Sequence, residues 1–223
     1  MNIEPIAFFR SPFTSKFGIP RQSGIVECLR GRIVFEPRYR QAEALRGLEH
    51  FDYLWLLWGF SENVGAAKHP TVRPPLLGGN ERMGVWATRS PFRPNNLGLS
   101  SVRIDSIDAS ATEITVLGAD LMDGTPIYDI KPYLPYVDSH PEARGGFTDS
   151  HHWALLEVEL PDELARMLPP VELQTLREIL QQDPRPHYHA DDGREYGMEY
   201  MGIGLRFCVA NGVLRVVRAT KLA

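Results

Sequence analysis

The chain has 223 residues, 43% of them hydrophobic and 23% charged, which excludes a disordered chain and fits one sizeable domain with a small addition. Its 19 glycines and 18 prolines, without an internal repeat or low-complexity segment, exclude a helical array and point to many short strands and turns. The net charge of −4 hides an asymmetry: residues 1–103 hold 14 Lys and Arg against 8 Asp and Glu, whereas residues 104–223 hold 10 against 20.

In chain order, Ile3 to Arg10 reads as a first strand closed by Ser11-Pro12. Phe13 to Gln22 is a loop. Ile25–Leu29 and Ile33–Phe35 read as short strands joined in a hairpin around Gly31. Tyr39 to Leu48 has the spacing of a short helix, with Ala42, Leu45 and Leu48 at three-residue steps. Phe51 to Phe60 is apolar at nearly every position, as a buried strand would be. A long loop follows from Glu62 to Asn80, then a strand at Met83–Ala87. Ser90 to Asn96 is irregular. Leu97–Ile107 alternates, with Gly98, Ser100, Val102 and Ile104 on one face. Glu113–Leu117 and Thr125–Ile130 continue the meander, with Asp123-Gly124 as a turn.

Residues 138–150 read as a polar linker. Beyond it, Trp153–Leu160 reads as a strand and Asp162 to Gln182 as a helix broken at Pro169-Pro170, with Val171, Leu173, Leu176, Ile179 and Leu180 inward. Met201–Val209 and Val213–Arg218 form a hairpin about Asn211-Gly212. The expected fold is mainly β: a single barrel of about seven strands over residues 1–140, then a small α+β domain over residues 150–223.

The longest apolar run, Tyr53 to Phe60, is far short of a membrane span, and the N-terminus lacks a signal-peptide layout. Cys28 and Cys208 fall in apolar patterns, as reduced core residues of a cytoplasmic protein. No glycine-rich dinucleotide or phosphate fingerprint is present. His151-His152 and the pair His187 and His189 are the dense histidines, and surface loops of this kind are solvated more often than metal-bound, so no metal is expected. Chemistry concentrates in loops. Lys16, Arg21, Arg73, Arg82, Arg89 and Arg93 fall in segments where proline fixes the backbone. Twelve of the 14 basic residues before position 104 are Arg, whose planar fork meets phosphate or carboxylate. Such arginines either hold an anionic ligand or brace loop carbonyls.

Phe17-Gly18-Ile19-Pro20-Arg21-Gln22, Arg73-Pro74-Pro75-Leu76-Leu77-Gly78-Gly79-Asn80, Gly84-Val85-Trp86-Ala87-Thr88-Arg89-Ser90-Pro91-Phe92-Arg93-Pro94-Asn95 and Asp120-Leu121-Met122-Asp123-Gly124-Thr125-Pro126 resemble the TsaA/TrmO-like family of single-barrel, S-adenosylmethionine-dependent tRNA methyltransferases. The resemblance extends to Asp129-Ile130-Lys131-Pro132-Tyr133, to Gln182-Asp183-Pro184-Arg185-Pro186 and to Tyr188, nearly the whole chain. It implies methyl transfer to N6 of threonylcarbamoyl-adenosine beside the anticodon of a threonine tRNA, and a homodimer with cofactor sites near the subunit interface.

By the same resemblance, S-adenosyl-L-methionine is held by Pro20, Arg21 and Gln22, by Ser61 and Glu62, by Arg89, by Leu99, and by Leu121, Met122, Asp123 and Gly124. The family carries His-Gln where this chain has Ser61-Glu62; a backbone contact survives that change and a side-chain contact does not. Arg89 or Arg21 suits the cofactor carboxylate, Asp123 its ribose, and Leu99 with Leu121-Met122 its adenine. Asp123 and Asp129 are candidate bases, beside a positioning-only mechanism with no protein base. For the tRNA, the candidates are Lys16, Arg73, Arg93, Tyr133 and Arg185, with Phe92 and Tyr136 available for stacking and Phe92 expected in the barrel core. Arg185, between two prolines past a helix end, either reaches the substrate or caps that helix. The alternatives are a small-molecule methyltransferase on the same barrel and a non-catalytic S-adenosylmethionine-sensing regulator.

Overall fold

A computed structural model describes residues 2–186 and 193–222; His187, Tyr188 and His189 lie outside the described residues. The strands of the first part are β1 (Ala7–Arg10), β2 (Arg30–Phe35), β3 (Tyr53–Gly59), β4 (Thr71–Val72), β5 (Met83–Gly84), β6 (Leu97–Asp108), β7 (Glu113–Leu117) and β8 (Pro126–Pro132). Six of them close an antiparallel barrel in the order β1-β2-β7-β6-β3-β8. The barrel therefore has six strands rather than seven, because Ile25–Leu29 is turn and not strand.

Inward residues alternate along each strand. Leu54, Leu56 and Trp58 on β3, Val102 on β6, Ile114 and Val116 on β7 and Ile127 on β8 form one core with Phe9 and Ile33. Gly31 is not a hairpin turn. It lies within β2 under the Phe9 ring, where a Cβ would come within 2.2 Å of that ring. The segment read as a helix at Tyr39 to Leu48 is instead a series of 3-10 turns at Pro37–Tyr39, Ala42–Leu45 and Leu48–His50, broken by Gly47 at φ 88°. Only Met83–Gly84 of the strand read at Met83–Ala87 pairs, with β4; Val85–Ala87 is a 3-10 turn.

α1 (Pro135–Asp138) closes the first part, with Trp55 Nε1 donating to Asp138 Oδ2 at 2.9 Å. The second part holds β9 (Glu157–Glu159), α2 (Leu164–Met167), α3 (Pro170–Gln181), β10 (Tyr196–Tyr200), β11 (Ile203–Ala210) and β12 (Val213–Lys221). Its sheet runs β10-β11-β12-β9, with β9 parallel to β12. α3 buries Thr175, Leu176, Ile179 and Leu180, while Val171, read as inward, is 67% exposed in the first turn. This second core is completed from the other end of the chain. Phe13, Val26 and Leu29, from the connection between β1 and β2, are buried with Leu176, Tyr200 and Phe207. Phe13 meets Tyr200 edge-on at 5.6 Å between ring centroids.

Strand register fixes where the connections emerge. Arg10 faces Arg32, Arg30 faces Leu117, Gly59 faces Leu97 and Phe8 faces Pro126. Residues 11–29, 60–96 and 118–125 therefore leave the barrel at the same end, which forms its mouth. At that end Gly98 lies against the Trp58 indole, and a Cβ there would come 2.4 Å from the ring. Gly98→Ala is expected to displace the indole and destabilise the fold by about 1–3 kcal/mol, read as a lower urea midpoint with an unchanged slope.

Candidate functional site

The mouth is built by side chains that tie its loops together. Asp123 accepts from the Ser11 backbone N–H at 3.0 Å and pairs with Arg10 at 3.4 Å, so both its oxygens are engaged. Its own N–H donates to the Phe13 carbonyl at 2.8 Å. Lys16 Nζ donates to the Glu62 carbonyl at 3.2 Å and to Asn63 Oδ1 at 3.4 Å, stapling two of the loops. Asn96 Nδ2 donates to the Asn63 carbonyl at 2.8 Å. Arg93 donates to the carbonyls of Thr88 at 2.8 Å and Val85 at 3.3 Å, and lies over the Trp86 ring at 5.4 Å. It braces its own loop.

Arg89 and Asp120 are two mouth groups of opposite charge. Arg89 is exposed, and its Nη1 donates to Gln22 Oε1 at 2.7 Å. Asp120 sits at the inner edge of the mouth, where Trp58 Nε1 donates to Ser100 Oγ at 3.0 Å and Ser100 Oγ donates to Asp120 Oδ1 at 2.6 Å. Burial pushes the Asp120 carboxyl above the ordinary carboxylate range, opposed by the Ser100 hydroxyl, the positive field of Arg89 and the Ser23 backbone N–H. Among the described residues, no ion pair involves Arg89 or Asp120.

A groove of about 1560 Å³ runs from Gln22 and Arg89 across the mouth loops to the linker between the two parts. Lys68, Arg73, Arg82, Trp86 and Phe92 line its barrel side, and Phe147, His151, His152 and Trp153 line the other. Trp86 is 71% exposed and Phe92 is 43% exposed, so Phe92 belongs to this groove and not to the barrel core. Arg82 donates to Thr71 Oγ1 at 3.0 Å, while no partner is seen for the exposed Arg73 guanidinium.

The structure brings some of the sequence-derived candidates together and separates others. Pro20, Gln22, Ser61, Glu62, Arg89, Met122, Asp123 and Gly124 all lie on the mouth loops. Leu121 is fully buried in the barrel core and offers no wall to a ligand. Leu99 is 57% exposed on the outer wall of the barrel, opposite Leu57, which in turn faces Asp129. Asp129 is held by Lys131 at 3.2 Å. Tyr133 packs with Trp55 at 5.7 Å and Tyr53 at 6.1 Å on that same wall, and Tyr136 is exposed beyond it.

Arg21 and Arg185 turn toward the second part. Arg21 donates through Nη1 to the Gln182 carbonyl and through Nη2 to the Asp183 carbonyl, both at 2.6 Å, and lies 4.0 Å above the Trp153 ring. Burial lowers its pKa from the ordinary value, and the Asp183 carboxylate raises it. Arg21, not Arg185, thus caps the carbonyl end of α3. Arg185 is 8% exposed, and its guanidinium makes two bonds of 2.9 Å to the Asp183 carboxylate, so it is turned inward against a small cavity of about 140 Å³ lined also by Lys16 and Pro20. Sequence reasoning did not single out Asp120, Trp86 or the histidine-containing wall as site residues. Asp120 carried a signal, being a lone charge between Ala119 and Leu121 at the end of a buried strand.

The fold is shared with TrmO crystal structures. One TrmO structure superposes with a TM-score of 0.80 at 33% identity, covering 99% of each chain. TrmO from Pseudomonas aeruginosa superposes with a TM-score of 0.79 at 32% identity, covering 99% of this chain and 98% of that one. Residues 8–139 match the tRNA-methyltransferase O N-terminal domain, and residues 154–222 match the TrmO C-terminal domain. The chain belongs to the TrmO family. A tRNA (adenine(37)-N6)-methyltransferase of Escherichia coli is 43% identical over 205 residues, 88% of this chain and 86% of that protein. A putative S-adenosylmethionine-dependent methyltransferase, RcsF, of Pseudomonas aeruginosa is 39% identical over 204 residues, 88% of this chain and 87% of that protein.

The Arg21 cap generates a stability prediction. Arg21→Met removes two charge-assisted bonds and takes the donor from the carbonyls of Gln182, the C-cap of α3, and Asp183 beyond it. It is expected to lower stability by about 1.5–3 kcal/mol in chemical denaturation.

Proposed function

We propose that this chain transfers a methyl group from S-adenosylmethionine to N6 of adenosine 37 of a tRNA, beside the anticodon. The observation that carries this reading is the mouth. There an exposed arginine with a neutral partner, Arg89 with Gln22, opens into a groove lined by Arg73, Arg82, Lys68 and two exposed aromatics. Family membership and the names of the relatives support the same chemistry.

The donor set fits the cofactor: a guanidinium for its carboxylate, loop backbone around Pro20 to Ser23 for its polar edges, and exposed Leu99 for its adenine. When bound, the cofactor supplies an electrophilic methyl. The chain's own work is to hold donor and acceptor in line and to keep water out. Asp123 is engaged by Ser11 and Arg10, and Asp129 equally by the Ile130 N–H and Lys131, so neither candidate base is the freer and a positioning-only mechanism needs neither. The groove favours a polyanion over a small substrate: its volume of about 1560 Å³, an Arg73 without a partner among the described residues and the exposed ring of Trp86 suit a looped nucleic-acid strand. N6 of threonylcarbamoyl-adenosine in a threonine tRNA remains our expected acceptor.

We infer that the chain acts in the cytoplasm as a homodimer. The outer wall of β3, β6 and β8 supports the dimer. It presents Tyr53, Trp55, Leu57, Leu99 and Tyr133, an apolar strip that continues from the mouth and carries both Leu99 and Asp129.

The direct test is mass spectrometry of tRNA nucleosides from a strain lacking this gene and from its complement. The N6-methylated nucleoside is expected only in the complement. Arg89→Ala is expected to weaken cofactor binding by about 1.5–3 kcal/mol in calorimetry, and Arg89→Lys to restore part of it. Arg73→Ala is expected to raise KM for tRNA, leave cofactor affinity intact and reduce the salt slope of tRNA binding by about 1.

A further inference from the structure

One polar line runs from the barrel core to the mouth. Trp58, Ser100 and Asp120 form a chain in which every proton has a single destination. The indole N–H can only donate, and it donates to Ser100 Oγ. The Ser100 hydroxyl has one proton, and it goes to Asp120 Oδ1. The arrangement is rigid, because Gly98 lets the indole lie flat across β6 and Ser100 is 2% exposed. The line ends at the mouth, where the Gly24 N–H donates to the Gly118 carbonyl at 2.8 Å and so holds the Gln22 segment beside Asp120, whose carboxylate lies in the field of Arg89 without pairing with it. Arg89 is held instead by neutral Gln22, the residue before Ser23. A guanidinium and a carboxylate thus stand near each other, each oriented by neutral hydrogen bonds and neither neutralised by the other.

A split pair of this kind complements a molecule carrying both charges on adjacent atoms. We propose that Asp120 binds the α-ammonium of the cofactor's amino-acid end while Arg89 takes its carboxylate, so that the two recognise the zwitterion as a unit. This rests on the reading of the mouth as the cofactor site. The ammonium gives the partly buried carboxylate the partner that burial otherwise denies it. It also makes Ser100 and Trp58 positioning residues, since they fix which oxygen of Asp120 stays open. The arrangement would reject adenosine compounds that lack the amino-acid end.

Calorimetry with four ligands tests the proposal: S-adenosylhomocysteine, its deaminated analogue, decarboxylated S-adenosylmethionine and methylthioadenosine, which has neither charge. On the wild-type protein, removal of the amino group is expected to weaken binding about tenfold or more. Asp120→Asn is expected to weaken S-adenosylhomocysteine and the decarboxylated cofactor to a similar extent and to leave methylthioadenosine unchanged. Arg89→Ala is expected to weaken S-adenosylhomocysteine and spare the decarboxylated cofactor. Equal wild-type affinity for S-adenosylhomocysteine and its deaminated analogue overturns the assignment and needs no variant to fold. So does a proportional loss of methylthioadenosine in Asp120→Asn, which would make the residue purely structural. Failure of the wild-type protein to bind any of the four would instead remove the cofactor reading itself, and this inference with it.

Discussion

Closure of the barrel at the seam between β1 and β8 sets the position of everything at the mouth. The two strands share only two residue pairs, Ala7 with Ile127 and Phe8 with Pro126. The seam is extended by loop contacts: Phe9 N–H to the Thr125 carbonyl, Gly124 N–H to the Phe9 carbonyl, and Asp123 on Ser11. Because these bonds lock the turn at 122–125 to the exit of β1, the connection that starts at Ser11 must leave over the mouth. From there it reaches Lys16, Arg21 and Gln22 in turn, and each engages a different partner: the 61–63 turn, the end of α3, and Arg89. A short seam thereby fixes three separate loops.

The same connection divides its residues between two jobs by polarity. Phe13, Val26 and Leu29 are buried among the residues of the second sheet, while Gln22 and Ser23 stay at the mouth. Arg21 lies between the two, with its guanidinium on the α3 carbonyls and its ring contact on Trp153. The segment is apolar at its ends and polar at its centre, so burying its ends presents its centre. The groove follows from this geometry. Its one wall is the barrel's own loops, and its other is the linker that runs beside Arg21 to β9.

Strong alternation made much of the barrel legible in the sequence. β7 was read to the residue, and β6 to within one, because their side chains alternate and the two strands meet at the polar turn over 109–112. What failed was what depends on contacts distant in sequence. Gly31 read as a turn because nothing local announces that the Phe9 ring fills the space of its side chain. β10 was missed although Tyr196, Met198 and Tyr200 alternate, since it follows a proline-rich break and pairs only with β11. The mouth loops were found through proline and arginine, yet the tasks of those arginines were not readable. Arg93 and Arg21 both spend their forks on carbonyls, and only the fold places Arg21 beside Gln182, 161 positions away. Asp120 stands inside the recognised Asp120 to Pro126 motif, yet its own role was not readable, because its partner Ser100 comes from another strand.

The sharing of Phe13, Val26 and Leu29 with the second core bears on the order in which this chain is made. These side chains leave the ribosome early, and the barrel strands around them follow. Their partners on α3, β10 and β11 are among the last residues synthesised. A nascent chain can close its barrel while the loop at the mouth still shows three large apolar side chains to solvent. The loop at the mouth therefore acquires its final shape only when translation is nearly complete, and a chain truncated within its last strands would present a finished barrel with an unfinished mouth.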